Sequence, residues 1–67
     1  MQVQIRVQEH LDPSWQEWFE GLQITHESDG KSLLSGVLQD QAALYGVLWK
    51  LRHLSVTLLS LETSPLP

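Results

Sequence analysis

Apolar and polar residues alternate from the start of the chain. Val3, Ile5 and Val7 are separated by Gln4 and Arg6 and flanked by Gln2 and Gln8, the period-two pattern of a strand with one buried and one wet face. The pattern changes at Leu11-Asp12-Pro13-Ser14, where Asp12 can cap a helix whose first residue, Pro13, has no N–H to leave unpaired. Trp15, Trp18, Phe19 and Leu22 then fall at i, i+3, i+4 and i+7, with Gln16, Glu17 and Glu20 opposite them. This spacing predicts a short helix that packs by its aromatic side and stops at Gly21, with Trp15, Trp18 and Phe19 in the core.

Leu22 and Ile24 alternate with Gln23 and Thr25 as a second strand. The run from His26 to Lys31 interrupts it, and its Asp29-Gly30 pair favours a hairpin turn. A third strand is predicted over Leu33 to Leu38, its inward parity open because Leu33 and Val37 point one way and Leu34 and Leu38 the other. Asp40 is the expected N-cap of a second helix running through Arg52, with Leu44, Val47, Leu48 and Leu51 as its apolar stripe. Lys50 and Arg52 near its end suit the negative pole of the helix dipole. A last strand is predicted over Leu54 to Leu61, with Leu54, Val56 and Leu58 on one face and Leu59 and Leu61 on the other. Two prolines bar regular pairing in Thr63-Ser64-Pro65-Leu66-Pro67, so a single domain over 1–62 with a disordered tail over 63–67 is expected.

This order of elements predicts an α+β fold of the ferredoxin-like split βαββαβ type, a four-stranded antiparallel sheet with two helices on one face. The first and third strands are then central. The second and fourth are edges, and the leucine-rich fourth strand has an open side, a feature that is either protected or used.

With 67 residues the chain has room for one core and is marginal as an independent unit. It contains no cysteine, which removes disulfides and thiolate metal sites and makes self-association the expected source of extra stability. A net charge of −4, with only four Lys and Arg residues, lacks the basic footprint that phosphate contacts require, so nucleic acid is not an expected partner. The N-terminus has no charged start followed by an apolar run, and no stretch approaches the length of a membrane span, so the expectation is a cytoplasmic protein with no membrane partner.

Leu11-Asp12-Pro13-Ser14-Trp15, Trp18-Phe19, the turn at Asp29-Gly30, and Asp40-Gln41-Ala42-Ala43-Leu44-Tyr45-Gly46-Val47-Leu48 running on to Leu51-Arg52 form a whole-chain pattern. In it the chain resembles a group of short, uncharacterised bacterial proteins, over roughly residues 2 to 61. In that group a histidine is common at the position of Tyr45, and a glycine and a proline at those of Ser55 and Thr57. The resemblance implies a compact bacterial domain and no particular activity.

Candidate chemistry is sparse. His10, His26 and His53 have neither the H-x-x-x-H nor the H-E-x-x-H spacing of a zinc site, and ordinary surface histidines are the expectation. His26, Glu27 and Asp29 in a cation-binding loop are better explained as a solvated hairpin tip. No serine lies in a G-x-S-x-G turn, and Ser14 is explained by its place at a helix start. Glu17 and Glu20 share the wet face of the first helix. Gly21, Gly30, Gly36 and Gly46 are too scattered for a phosphate cradle. Neither catalytic residues, a metal site nor a cofactor is therefore assigned.

Tyr45 and Trp49 stand apart from the apolar stripe of the second helix, and either anchor an interface or cover the gap beside the first helix. The expectation is a non-enzymatic interaction module, a homo-oligomer or the binder of a protein partner, associating through the outer face or an edge of its sheet. Its candidate interface residues are Tyr45, Trp49, Gln4, Arg6, Leu59 and Leu61. The rival is a small enzyme or ligand-sensing subunit whose site is completed between chains, for which Arg6, His10, His26 and His53 are the available groups.

Overall fold

The structure is a computed structural model that describes residues 1–65. The alternation at the N-terminus forms β1 (Gln2–Val7), with Val3, Ile5 and Val7 buried. The remaining strands are β2 (Gln23–His26), β3 (Ser32–Val37) and β4 (Leu58–Ser64), and the helix α1 covers Gln41–His53. All four strands lie antiparallel in one sheet of order β2-β3-β1-β4, so β1 and β3 are central and β2 and β4 are edges. The α+β class and the four-stranded antiparallel sheet agree with the sequence pattern.

The predicted first helix does not form. Pro13–Trp15 and Glu17–Phe19 are two single 3-10 turns, and α1 is the one α-helix among the described residues. Asp12 caps the first turn as expected, its Oδ1 accepting from the Ser14 N–H at 2.9 Å, but Glu20 and Gly21 follow with φ of 60° and 78° and reverse the chain. The segment between cap and reversal is too short for the cooperative gain of an α-helix. Three residues per turn bring Trp15 and Trp18 onto one side and turn Phe19 away from them. Phe19 is accordingly fully buried, whereas Trp15 and Trp18 remain 39% and 42% exposed, against the core positions expected for all three rings.

The hairpin between β2 and β3 turns at Ser28–Gly30, where Asp29 and Gly30 both take positive φ, as an Asp-Gly pair does readily. Register settles the parity of β3. Ile5 lies opposite Leu34 and Val7 opposite Ser32, so Ser32, Leu34 and Gly36 face the core and Leu33, Ser35 and Val37 face outward. Ser32, fully buried, holds the chain that leaves β1: its hydroxyl donates to the Glu9 carbonyl at 2.7 Å and accepts from the Leu11 N–H at 2.8 Å.

Asp40 caps α1 as predicted, its Oδ1 accepting from the Ala43 N–H at 2.9 Å. Leu44, Val47 and Leu51 are buried and Leu48 is partly so. The helix ends later than predicted, in a Schellman motif. The Val56 N–H reaches the Leu51 carbonyl at 3.1 Å and the Ser55 N–H the Arg52 carbonyl at 2.9 Å, with Ser55 between at φ 59°. Leu54 to Thr57 therefore belongs to the helix end and its loop, and the predicted last strand begins instead at Leu58. A left-handed serine is strained where glycine is not. Ser55→Gly is expected to raise stability by about 0.5–1 kcal/mol, read as a higher urea midpoint with unchanged slope.

β4 continues through Thr63 and Ser64, which pair with Val3 and Gln2, where a frayed tail was expected; Leu66 and Pro67 of that tail lie outside the described residues. Within β4 the register shifts between Arg6, opposite Ser60, and Val7, opposite Leu58, leaving Leu59 as an extra residue in a bulge. The shift brings Leu58 and Leu61 onto one face of the sheet, opposite Val7 and Ile5. Leu61 therefore lies on the helix side, not on the outer face where unbroken alternation had put it.

Candidate functional site

The six residues expected at an interface divide between two faces. Gln4 and Arg6 lie on the outer face, with Ser35 and Leu33 of β3 on one side and Glu62 and Ser60 of β4 on the other. Arg6 is already engaged there: its Nε lies 3.1 Å from Glu27 Oε1 and its Nη1 3.5 Å from Glu62 Oε1. Leu59 sits in the bulge at the edge. Tyr45, Trp49 and Leu61 belong to the helix side.

On that side the apolar surface left open is large for so small a chain. Tyr45 is 62% exposed, Trp49 60%, Leu58 47% and Leu61 38%. At about 100° per residue, Lys50 and Leu48 lie on opposite flanks of α1. The Lys50 flank reaches the first crossover, where Nζ donates to the Trp18 carbonyl at 2.7 Å. The flank with Leu48 and Tyr45 is therefore turned away from that crossover, and Leu58 and Leu61 of β4, on the same side of the sheet as the helix, remain exposed. Tyr45 and Trp49 thus do not cover the gap beside the first crossover. Trp49 stacks instead on His53, one turn on, with ring centroids 4.7 Å apart.

A second apolar concavity lies at the other flank. Trp15, Trp18, Leu54 and Ser14 line an open cleft of about 280 Å³. The two indoles meet at 73° with centroids 5.9 Å apart, and Lys50 Nζ stands 5.4 Å from the centroid of the Trp18 ring. Lys50 also lies 3.5 Å from Glu20 Oε1. The Asp12 carboxyl at the start of this segment is held below its ordinary value, first by the hydrogen bond from the Ser14 backbone. The sequence pattern missed this cleft because it assigned both indoles to an α-helical core stripe. The Glu20-Gly21 pair, which ends the turns, was the available signal.

The groups of the enzyme reading gather only in part. His10 and His26, distant in sequence, stack with centroids 4.3 Å apart and ring planes within 4°. His26 Nε2 donates to the Leu11 carbonyl at 2.6 Å, and His10 Nε2 to the Glu27 carbonyl at 3.4 Å. Arg6 and His10 therefore both reach Glu27, and with the His26 contact to Leu11 they tie β1 and the loop after it to the loop after β2. His53 lies on α1, away from them. Among the described residues no three His, Asp or Glu side chains are grouped to hold a metal ion, and no helix is long and apolar enough to cross a membrane.

A family model described as a domain of unknown function (DUF8691) matches residues 2–62. No curated protein matches the chain, and no solved structure does.

Proposed function

The chain belongs to the DUF8691 family of unknown function, and we propose that it is a non-enzymatic association module that pairs with a second copy of itself through the helix side of its sheet. The observation that carries this reading is the exposure of Tyr45, Trp49, Leu58 and Leu61 on that one side. A helix with apolar residues nearly all round is ordinarily buried on every side. The outward positions of α1 include Ala42, Tyr45 and Trp49, and its charges are confined to Lys50, Arg52 and the terminal His53. Tyrosine and tryptophan are also the side chains that most often anchor interfaces.

A second copy is the occupant favoured by the surface itself. Aromatic rings beside leucines are self-complementary across a twofold axis, where each copy offers the same patch. Helix α1 contains no acidic residue, so the acidic character of the chain does not oppose the pairing there. We also read the strand order as a shortened ferredoxin-like unit in which the first crossover has shrunk to two turns.

Light scattering across a dilution series tests the reading. Dimers that dissociate on dilution are expected, with Trp49→Ala or Leu61→Asp each weakening association about tenfold or more while the circular dichroism spectrum is retained. A strict monomer at tens of micromolar, or variants that associate as the parent does, overturns it.

A further inference from the structure

We propose that the corner formed by Trp15 and Trp18 binds the quaternary ammonium head of a small molecule. The proposal is independent of the association surface, which lies on the other flank of α1. Two indoles at 73°, with centroids 5.9 Å apart, form adjoining walls, and Leu54 and Ser14 complete a cleft of about 280 Å³. That volume lies just below the range of pockets that enclose drug-sized ligands, and suits a compact head group. Methylated ammonium groups are too weakly hydrated to resist an apolar cleft, and their charge is drawn to the faces of aromatic rings.

Three further observations set the sign of the ligand's charge. Trp18 already has a cation over its ring, Lys50 Nζ at 5.4 Å from the centroid, inside the distance at which the ring quadrupole attracts charge. Asp12, Glu17 and Glu20 surround the two tryptophans in sequence, and the one cation found there, Lys50, is tied to Glu20 and to the Trp18 carbonyl. Asp12 accepts from the N–H of Ser14, which itself lines the cleft, so a carboxylate stands at the rim. Lys50 and Glu20 offset each other, so the charge left at the rim is the Asp12 carboxylate, which disfavours an anionic ligand. A cationic one meets complementary charge and two exposed rings.

Choline is the probe, with its uncharged carbon isostere as the control at matched ionic strength. The readout is the three indole N–H resonances in a nitrogen-15 spectrum of the intact chain. Choline is expected to shift the Trp15 and Trp18 resonances saturably and to leave Trp49 unmoved, with the isostere at least about fivefold weaker. Trp15→Leu and Trp18→Leu keep apolar bulk but remove the ring, and each is expected to weaken choline binding about tenfold. Lys50→Met removes a like charge and is expected to tighten it. Should Trp18→Leu fail to fold, Trp15→Leu carries the comparison. Equal binding of the isostere, a parallel shift of Trp49, or no saturation with choline at tens of millimolar overturns the proposal.

Discussion

Phe19→Ala is expected to cost about 3–5 kcal/mol, the largest single-residue effect in the chain. Phe19 is fully buried and meets the rings of Trp18 and Trp15 with centroids 5.0 and 6.4 Å away, so its removal leaves a void beneath two side chains that are themselves poorly anchored. A domain of this size has roughly 3–10 kcal/mol of stability in all, so the variant sits at or near the point of unfolding. Trp18→Ala, at a side chain 42% exposed, is expected to cost less than half as much. Urea unfolding of the two variants measures the difference, with Phe19→Leu as a milder substitute where the alanine variant does not fold. Equal losses at Phe19 and Trp18 would mean that the crossover packs all its rings inward after all.

Ser32→Ala ranks second, at about 1–3 kcal/mol. The hydroxyl has no access to solvent and serves two main-chain groups, the Glu9 carbonyl and the Leu11 N–H. Alanine fits the space but leaves the Leu11 amide in a dry environment without an acceptor, which is worse than never having had the bond. Loss of protection at that amide in hydrogen exchange, together with a lower urea midpoint, is the expected result. An unchanged exchange rate would show that the segment from Glu9 to Leu11 is held by other contacts, the stacked His10 and His26 foremost among them.

The two elements that sequence periodicity located well are β1, whose Val3, Ile5 and Val7 alternate with polar residues, and α1, whose buried Leu44, Val47 and Leu51 recur every three to four residues behind the cap Asp40. Elsewhere the apolar pattern admitted two periods. Trp15, Trp18 and Phe19 satisfy an α-helical repeat, but the short run up to the left-handed Glu20 takes a three-residue repeat instead, and the side chains follow the backbone. Leu33 and Leu34 compete for the core, and only pairing with Ile5 and Ile24 settles it for Leu34.

Leu54, Val56 and Leu58 look like one strand face, yet the first two pack around a helix end whose turn depends on a serine at positive φ, a conformation for which serine gives no signal. The open rings of Trp15 and Trp18 were hidden for the same reason as the crossover itself. The exposed face of α1 was more accessible: Tyr45 and Trp49 stand off the Leu44, Val47, Leu51 stripe in any helical projection. The neighbouring leucines were harder to place, because one extra residue in β4 reverses the side on which Leu61 emerges.

That extra residue also bears on how the chain behaves when crowded. A terminal strand with three exposed leucines is a template for runaway stacking, since each added copy presents the same free edge to the next. A bulge at Leu59 coils the strand and breaks the even spacing of its outward N–H and carbonyl groups, so a flat ribbon cannot be laid along it without melting the last turns of the ladder. The same irregularity that turns Leu61 toward the helix thus discourages fibre growth, and lets an oily border strand persist in a chain that has no proline or lysine within β4 to guard it.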